Sequence, residues 1–172
     1  LSAPRKFNNF IFAVRNHAKK HRDAHVYFMI QSHNIRGDER MQKYKKIAER
    51  YGYLMAGGHI PENAPVGEVG GTAILIPHRA IPRGKNEGKD VAITKVRRTA
   101  RETSRITSIK VSIEGKTTKL VSAYAPPTPA ARPDFFNDDL RPAIGPTTVL
   151  GIDANCVLDT ALDIRSHAAN QP

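Results

Sequence analysis

Tryptophan is missing from this 172-residue chain, and cysteine occurs once, at Cys156. A single cysteine excludes an internal disulfide and any cysteine-based zinc site. No apolar run approaches the roughly 20 residues that a membrane helix requires, so no segment is expected to span a bilayer. No signal-like apolar region and no lipidation motif is visible at either end, and a chain beginning at Leu1 suits a fragment or a processed product. Acidic residues are also in short supply, with 16 Asp and Glu against 27 Lys and Arg, a net charge of +11. Hydrophobic residues still make up 40% of the chain, which is a globular composition. The length suits one domain with a buried core, spanning residues 1–172, and leaves little room for two.

The charge is unevenly placed. Residues 1–51 hold twelve Lys and Arg against four Asp and Glu, and residues 83–119 hold eleven against four. Residues 120–172 reverse the balance, with three against six. A basic body with a locally acidic segment suits a protein that holds a polyanion and also a cation. Ordinary solvated basic surface accounts for the same pattern.

Apolar periodicity divides the chain into helices and strands. Phe7, Phe10, Ile11, Val14 and Ala18 recur at helical spacing and predict an amphipathic helix from about Pro4 to His21. The run from His25 to Gln31 predicts a short buried strand. Met41, Tyr44, Ile47, Ala48 and Tyr51 then mark a second helix, stopped by Gly52. Residues 57–70 read as loop, with Gly70-Gly71 opening a strand over 72–76. The stretch 83–101 reads as basic and mostly irregular. Alternation over 105–113, turn residues at 114–116 and a returning strand over 118–124 predict a hairpin. Phe135, Phe136 and Leu140 mark a short helix before another buried strand over 147–152. Hairpins mixed with helices argue for an α/β or α+β sandwich rather than a strictly parallel sheet.

Asp153 and Asn155 fall where that last strand runs out. At a spacing of two, both side chains would leave the same face of an extended segment. A carboxylate and a carboxamide so placed can orient a water and a phosphate oxygen, or hold a divalent ion. Tyr124 also ends a strand, ahead of Pro126-Pro127, where its hydroxyl could face the same edge. The bland alternative is equally physical: Asp-x-Asn after a strand commonly forms a plain turn, and a Tyr before proline is commonly an edge residue. His17, His21, His25 and His33 straddle a helix and a strand and read as surface histidines. Cys156 reads as a small buried apolar residue, and Lys43, Lys45 and Lys46 as the wet face of a helix. Lys85, Lys89, Lys95, Arg97, Arg98 and Arg101, in a stretch that Gly84 and Gly88 leave free to adapt, are the candidate nucleic-acid contacts.

Taken in order, a strand ending in Tyr124-Ala125-Pro126, then Phe135-Phe136, then Val149-Leu150-Gly151-Ile152-Asp153-Ala154-Asn155-Cys156-Val157-Leu158-Asp159 resembles the endonuclease/exonuclease/phosphatase superfamily. More narrowly, it is similar to the apurinic-type endonuclease domain of non-LTR retrotransposons. Arg105 ahead of the hairpin, Gly70-Gly71-Thr72-Ala73-Ile74-Leu75 and Ile30-Gln31 fall in the expected order. The likeness spans roughly residues 5–165, with its specific part in 120–163.

The resemblance implies two β-sheets packed face to face between helices, a four-layer sandwich with its site at one end. It implies Mg²⁺-dependent cleavage of phosphodiesters. Asp153 would activate or orient water, Asn155 would contact the scissile phosphate region, and Tyr124 would position the phosphoryl group. Three departures limit that transfer. The family carries Gln-Glu after its second strand, and here Gln31 is followed by Ser32, a poor replacement for a metal-binding carboxylate. The family's first strand, which ends in a site Asn, has no counterpart ahead of Leu1-Ser2. The closing strand with its Asp-His pair has none before Pro172. Without those two strands, sheet edges would be left bare, so a protein partner or the rest of a longer polyprotein is expected.

Two functions follow as expectations. One is a nicking endonuclease lineage whose activity in this chain is weak or absent, a pseudoenzyme, placed in the nucleus if element-derived. The other is a non-catalytic nucleic-acid-binding or structural subunit of a larger assembly such as a ribonucleoprotein, binding DNA or RNA, with an organelle among its compartments.

Overall fold

The structure is a computed structural model. It describes residues 3–21, 28–30, 33–66, 68–78, 91–95, 105–113 and 116–156, with backbone alone at 21, 28–30, 91–95, 112, 113 and 116. Helix α1 covers Pro4–His21, the range its periodicity predicts, and α2 covers Asp38–Arg50. Asp38 and Glu39 sit in the first turn of α2 and Arg50 in its last, each of the sign that the helix dipole favours. Gly52 closes α2 with φ of 85°, and its N–H donates to the Glu49 carbonyl at 2.8 Å. Only glycine adopts that left-handed conformation without a Cβ penalty, which is why the helix ends there.

The strands form two sheets. The first is three-stranded and antiparallel in the order β1-β3-β2, built from Phe28–Ile30, Ala73–Pro77 and Tyr53–Gly57. The second is four-stranded in the order β4-β5-β6-β7, built from Val91–Lys95, Ile106–Ile113, Lys116–Tyr124 and Thr148–Asp153. Its pairings are antiparallel except that β6 and β7 run parallel. Within the stretch 83–101, which reads as mostly irregular, Val91–Lys95 pairs with β5, and the other residues of the stretch lie outside the described ones. The chain is thus a mixed α/β structure with two sheets and helices.

Three apolar clusters show how the layers stack. Phe7, Ile11 and Val14 of α1 and Met41, Tyr44 and Ala48 of α2 bury themselves on Tyr53, Met55, Ala73 and Leu75, so both helices cover one face of the first sheet. Ala56, Ile74 and Ile76 on its other face meet Ile109, Val111 and Leu120 of the second sheet. Val121, Ala123 and Ala125, on the far side of that sheet, meet Phe135 and Leu140. Alternation along β3 and β6 is the cause, since successive side chains point to opposite faces and both faces here are covered. The covering segment over residues 129–143 is a run of short turns, including a π-helical turn at Phe135–Leu140.

β7 departs from expectation. Its sequence reads as a buried strand, yet Val149 is 49% exposed and Leu150 36%. Among the described residues it pairs on one side only, with β6.

Candidate strand-end site

Tyr124 ends β6 and Asp153 ends β7, and the two are register partners. Paired residues on parallel neighbours project to the same face, so phenol and carboxylate leave the sheet side by side. Leu120 lies in the core between the sheets, and even-numbered offsets put Ser122 and Tyr124 on that same face. Ala123 and Ala125 take the other face, against the 129–143 segment. Arg132 fixes the exit of β6, its Nε donating to the Pro126 carbonyl at 3.1 Å and its Nη2 to the Pro127 carbonyl at 2.7 Å. The ladder persists one step past β6, where the Ala125 N–H donates to the Asp153 carbonyl at 2.8 Å.

Asn155 does not extend this face. Its φ of 48° is left-handed, and its N–H donates to Asp153 Oδ1 at 3.1 Å in an Asx-turn. Its Nδ2 turns back to donate to the Ala125 carbonyl at 2.6 Å. Of the two readings of Asp-x-Asn, the Asx-turn is the one observed, and the placement of both side chains on one extended face is corrected. Asn155 ties the ends of β6 and β7 together, while Asp153 remains exposed.

Arg105, which in the sequence marks only the order of the motif, joins this group. Its carbonyl accepts the Tyr124 N–H at 2.9 Å, and its guanidinium carbon lies 5.5 Å from the Tyr124 ring centroid. Its Nη1 is buried and lacks a hydrogen-bond partner among the described residues. A buried donor without an acceptor is costly and marks a place where an anionic oxygen or water is favoured. The sequence signal was an arginine directly ahead of an apolar strand, which is too common to single out.

The same end of the sandwich is stitched by threonines. Thr107 Oγ1 lies 2.8 Å from the Thr72 carbonyl, and the two Oγ1 atoms are 2.9 Å apart. No pattern in one strand's sequence reveals a hydroxyl pair that joins two sheets.

No family model and no curated protein matches this chain.

Two further expectations are corrected here. His33 is not a surface histidine but fully buried. Its Nε2 lies 2.9 Å from the Gly58 carbonyl, and its Nδ1 accepts the Ile35 N–H at 3.0 Å. Those partners assign a neutral ring protonated at Nε2. Desolvation lowers its pKa from 6.5 to about 4, against the opposing pull of the Gly58 carbonyl. With both nitrogens engaged, His33 has no lone pair left for a metal. Cys156, expected to be buried, is exposed, because the chain has already turned away from β7.

Ser32 and Gln31 lie outside the described residues, as do Lys85, Lys89, Arg97, Arg98 and Arg101. Lys95 falls on β4, where its backbone is opposite Lys110. Among the described residues no three His, Cys, Asp or Glu side chains converge as a metal cage. None of the described helices is long and apolar enough to cross a membrane.

Proposed function

We propose that this chain is an endonuclease/exonuclease/phosphatase-like domain of the retrotransposon type, in which the phosphodiester-cleaving site is kept in part and catalysis is weak or lost. The observation that carries the reading is the Tyr124–Asp153 register pair beside Arg105, a half-buried residue whose Nη1 is buried and lacks a hydrogen-bond partner among the described residues. The stacking of helices, sheet, sheet and helical segment supports the four-layer sandwich of that superfamily.

Each group has a task that its position suits. Arg105 offers the N–H donors of its buried Nη1, and the Tyr124 hydroxyl an O–H donor, to phosphoryl oxygens. Asp153 orients the attacking water. Asn155 acts through backbone, holding both strand ends in register. Phosphoryl transfer depends on such placement and charge neutralisation more than on covalent chemistry.

Magnesium is the cofactor this reading implies. The donor set fits in part: Asp153 Oδ1 takes the Asn155 N–H, leaving Oδ2 for an ion whose other ligands would be water and phosphate oxygens. When bound, Mg²⁺ supplies Lewis-acid neutralisation of phosphoryl charge. The thin part is the second carboxylate, since Ser32 stands where the family has Glu.

That deficit favours the companion reading, a nucleic-acid-binding or structural subunit that uses the fold without cleavage. Supercoiled-plasmid nicking with Mg²⁺ separates the two, run on the native chain, Asp153→Asn and Ser32→Glu. The expected result is little nicking by the native chain and a gain of at least about tenfold in Ser32→Glu, since even groups that only support a metal ligand are worth about 10- to 100-fold. Strong native nicking that Asp153→Asn abolishes would overturn the loss of catalysis. No gain in Ser32→Glu removes the support for a missing-carboxylate site.

A further inference from the structure

At the opposite end of the first sheet from Tyr124, α1 presents a surface that the strand-end site does not use. Its apolar stripe of Phe7, Ile11, Val14 and Ala18 is consumed by the core. Phe12 lies outside that stripe and is 52% exposed, the most exposed aromatic side chain among the described residues. Its ring meets Tyr51 edge-on, with centroids 6.3 Å apart and planes at 68°. The Arg15 guanidinium carbon stands 6.0 Å from the same Tyr51 ring, and the Tyr51 hydroxyl donates to Asn8 Oδ1 at 3.2 Å. Asn8, Phe12, Arg15 and Lys19 therefore share one helix face along Tyr51, at offsets of four, three and four. The face borders an open groove of about 240 Å³ lined by Arg15, Lys19, Tyr51 and His78, among others.

Charge decides the kind of occupant. α1 contains five Lys and Arg and no acid. Basic residues in the last turn of a helix also answer its dipole, but that accounts for neither Arg15, in mid-helix, nor an exposed phenylalanine beside it. The groove falls below the roughly 300–1,000 Å³ that engulfs a small ligand, so a strand lying across it fits better than a molecule enclosed by it. An anionic membrane would need several apolar side chains to insert, and among the described residues of this face only Phe12 is a large exposed one.

We propose that the Phe12–Tyr51–Arg15 face binds single-stranded nucleic acid, with a base stacked on Phe12 and the phosphate backbone held by Arg15 and Lys19. Aromatic platforms flanked by cations bind single strands in this way, with little sequence preference. The surface is independent of the strand-end site, so each can fail alone.

Because the sequence has no tryptophan, Phe12→Trp places a single indole on the platform, which is excited selectively at wavelengths where the five tyrosines do not absorb. The full chain carrying it is titrated without Mg²⁺ with oligo(U) and oligo(dT) of roughly ten nucleotides. Quenching by either is expected, and which oligonucleotide binds tighter names RNA or DNA as the source. By fluorescence anisotropy, Phe12→Leu should weaken binding about tenfold while Phe12→Tyr retains it, since stacking needs a ring. Arg15→Gln with Lys19→Gln should lower the slope of log affinity against log salt by about one to two. Quenching in Phe12→Trp reports the α1 platform alone and supercoiled-plasmid nicking reports the strand-end site, which separates the two. Phe12 and Lys19 are exposed, and unchanged circular dichroism confirms that each variant folds. Affinity that ignores Phe12→Leu overturns the proposal, as does quenching by phosphatidylserine vesicles without quenching by either oligonucleotide.

Discussion

Burial strips His33 of the water that would stabilise its charged form, and folding therefore holds the ring neutral. An unfolded chain binds a proton near pH 6.5, whereas the folded chain resists until about 4. The His33 contribution to stability is thus fully present above 6.5 and is lost as pH falls towards 4, amounting to about 3 kcal/mol. Urea unfolding across that pH range should show the loss in the native chain and a flatter profile in His33→Gln. The neighbouring Gly71 has φ of 73°, and a Cβ there would strike the His33 ring. The His33 N–H donates to the Gly71 carbonyl at 3.0 Å, so ring and backbone fix the loop together. None of this shows in the sequence, because a histidine after a strand carries no mark of what will cover it.

At the scale of elements, β3 and β7 have similar apolar composition and opposite fates. β3 sits between β1 and β2 with both faces covered, and Ile74 is fully buried against the second sheet. β7 lies beside β6 alone among the described residues, and half of Val149 faces solvent. Ile74→Ala should cost about 2–5 kcal/mol in urea unfolding, through lost transfer energy and a residual cavity. Val149→Ala should cost no more than about 1 kcal/mol. Equal losses at the two positions would mean that β7 is covered after all. The helices behaved more predictably: α1 and α2 follow their periodicity closely because one stripe of each must meet a core, whatever that core is.

For the whole molecule, the dominant long-range feature is charge. Twelve basic residues against four acidic in 1–51, and eleven against four in 83–119, leave a field that attracts any polyanion irrespective of sequence. Duplex DNA binding should therefore weaken at least about tenfold between 50 and 200 mM salt, as counterion release requires. A salt-insensitive affinity would show that contacts other than phosphate pairing dominate. The sheets are held at one end by hydroxyls, Thr72 to Thr107, and along their length by Ile74, Ile76, Ile109 and Val111. That arrangement keeps the Tyr124 edge aligned with the start of β3 without an ion pair between the sheets among the described residues.

The sequence by itself determined the helices, the hairpin, the order of the motif and the basic character, because periodicity, turn chemistry and charge are local or additive properties. It also put Tyr124 and Asp153 at strand ends. Tertiary structure decided that these two are neighbours, since parallel register between β6 and β7 depends on segments 29 residues apart in the chain. It turned Asn155 from a projecting side chain into a tie between strands, and brought Arg105 over Tyr124. Burial of His33 and exposure of Val149 and Cys156 were likewise decided there. A residue type states what a side chain can do; which neighbours remove its water is settled only when distant segments pack.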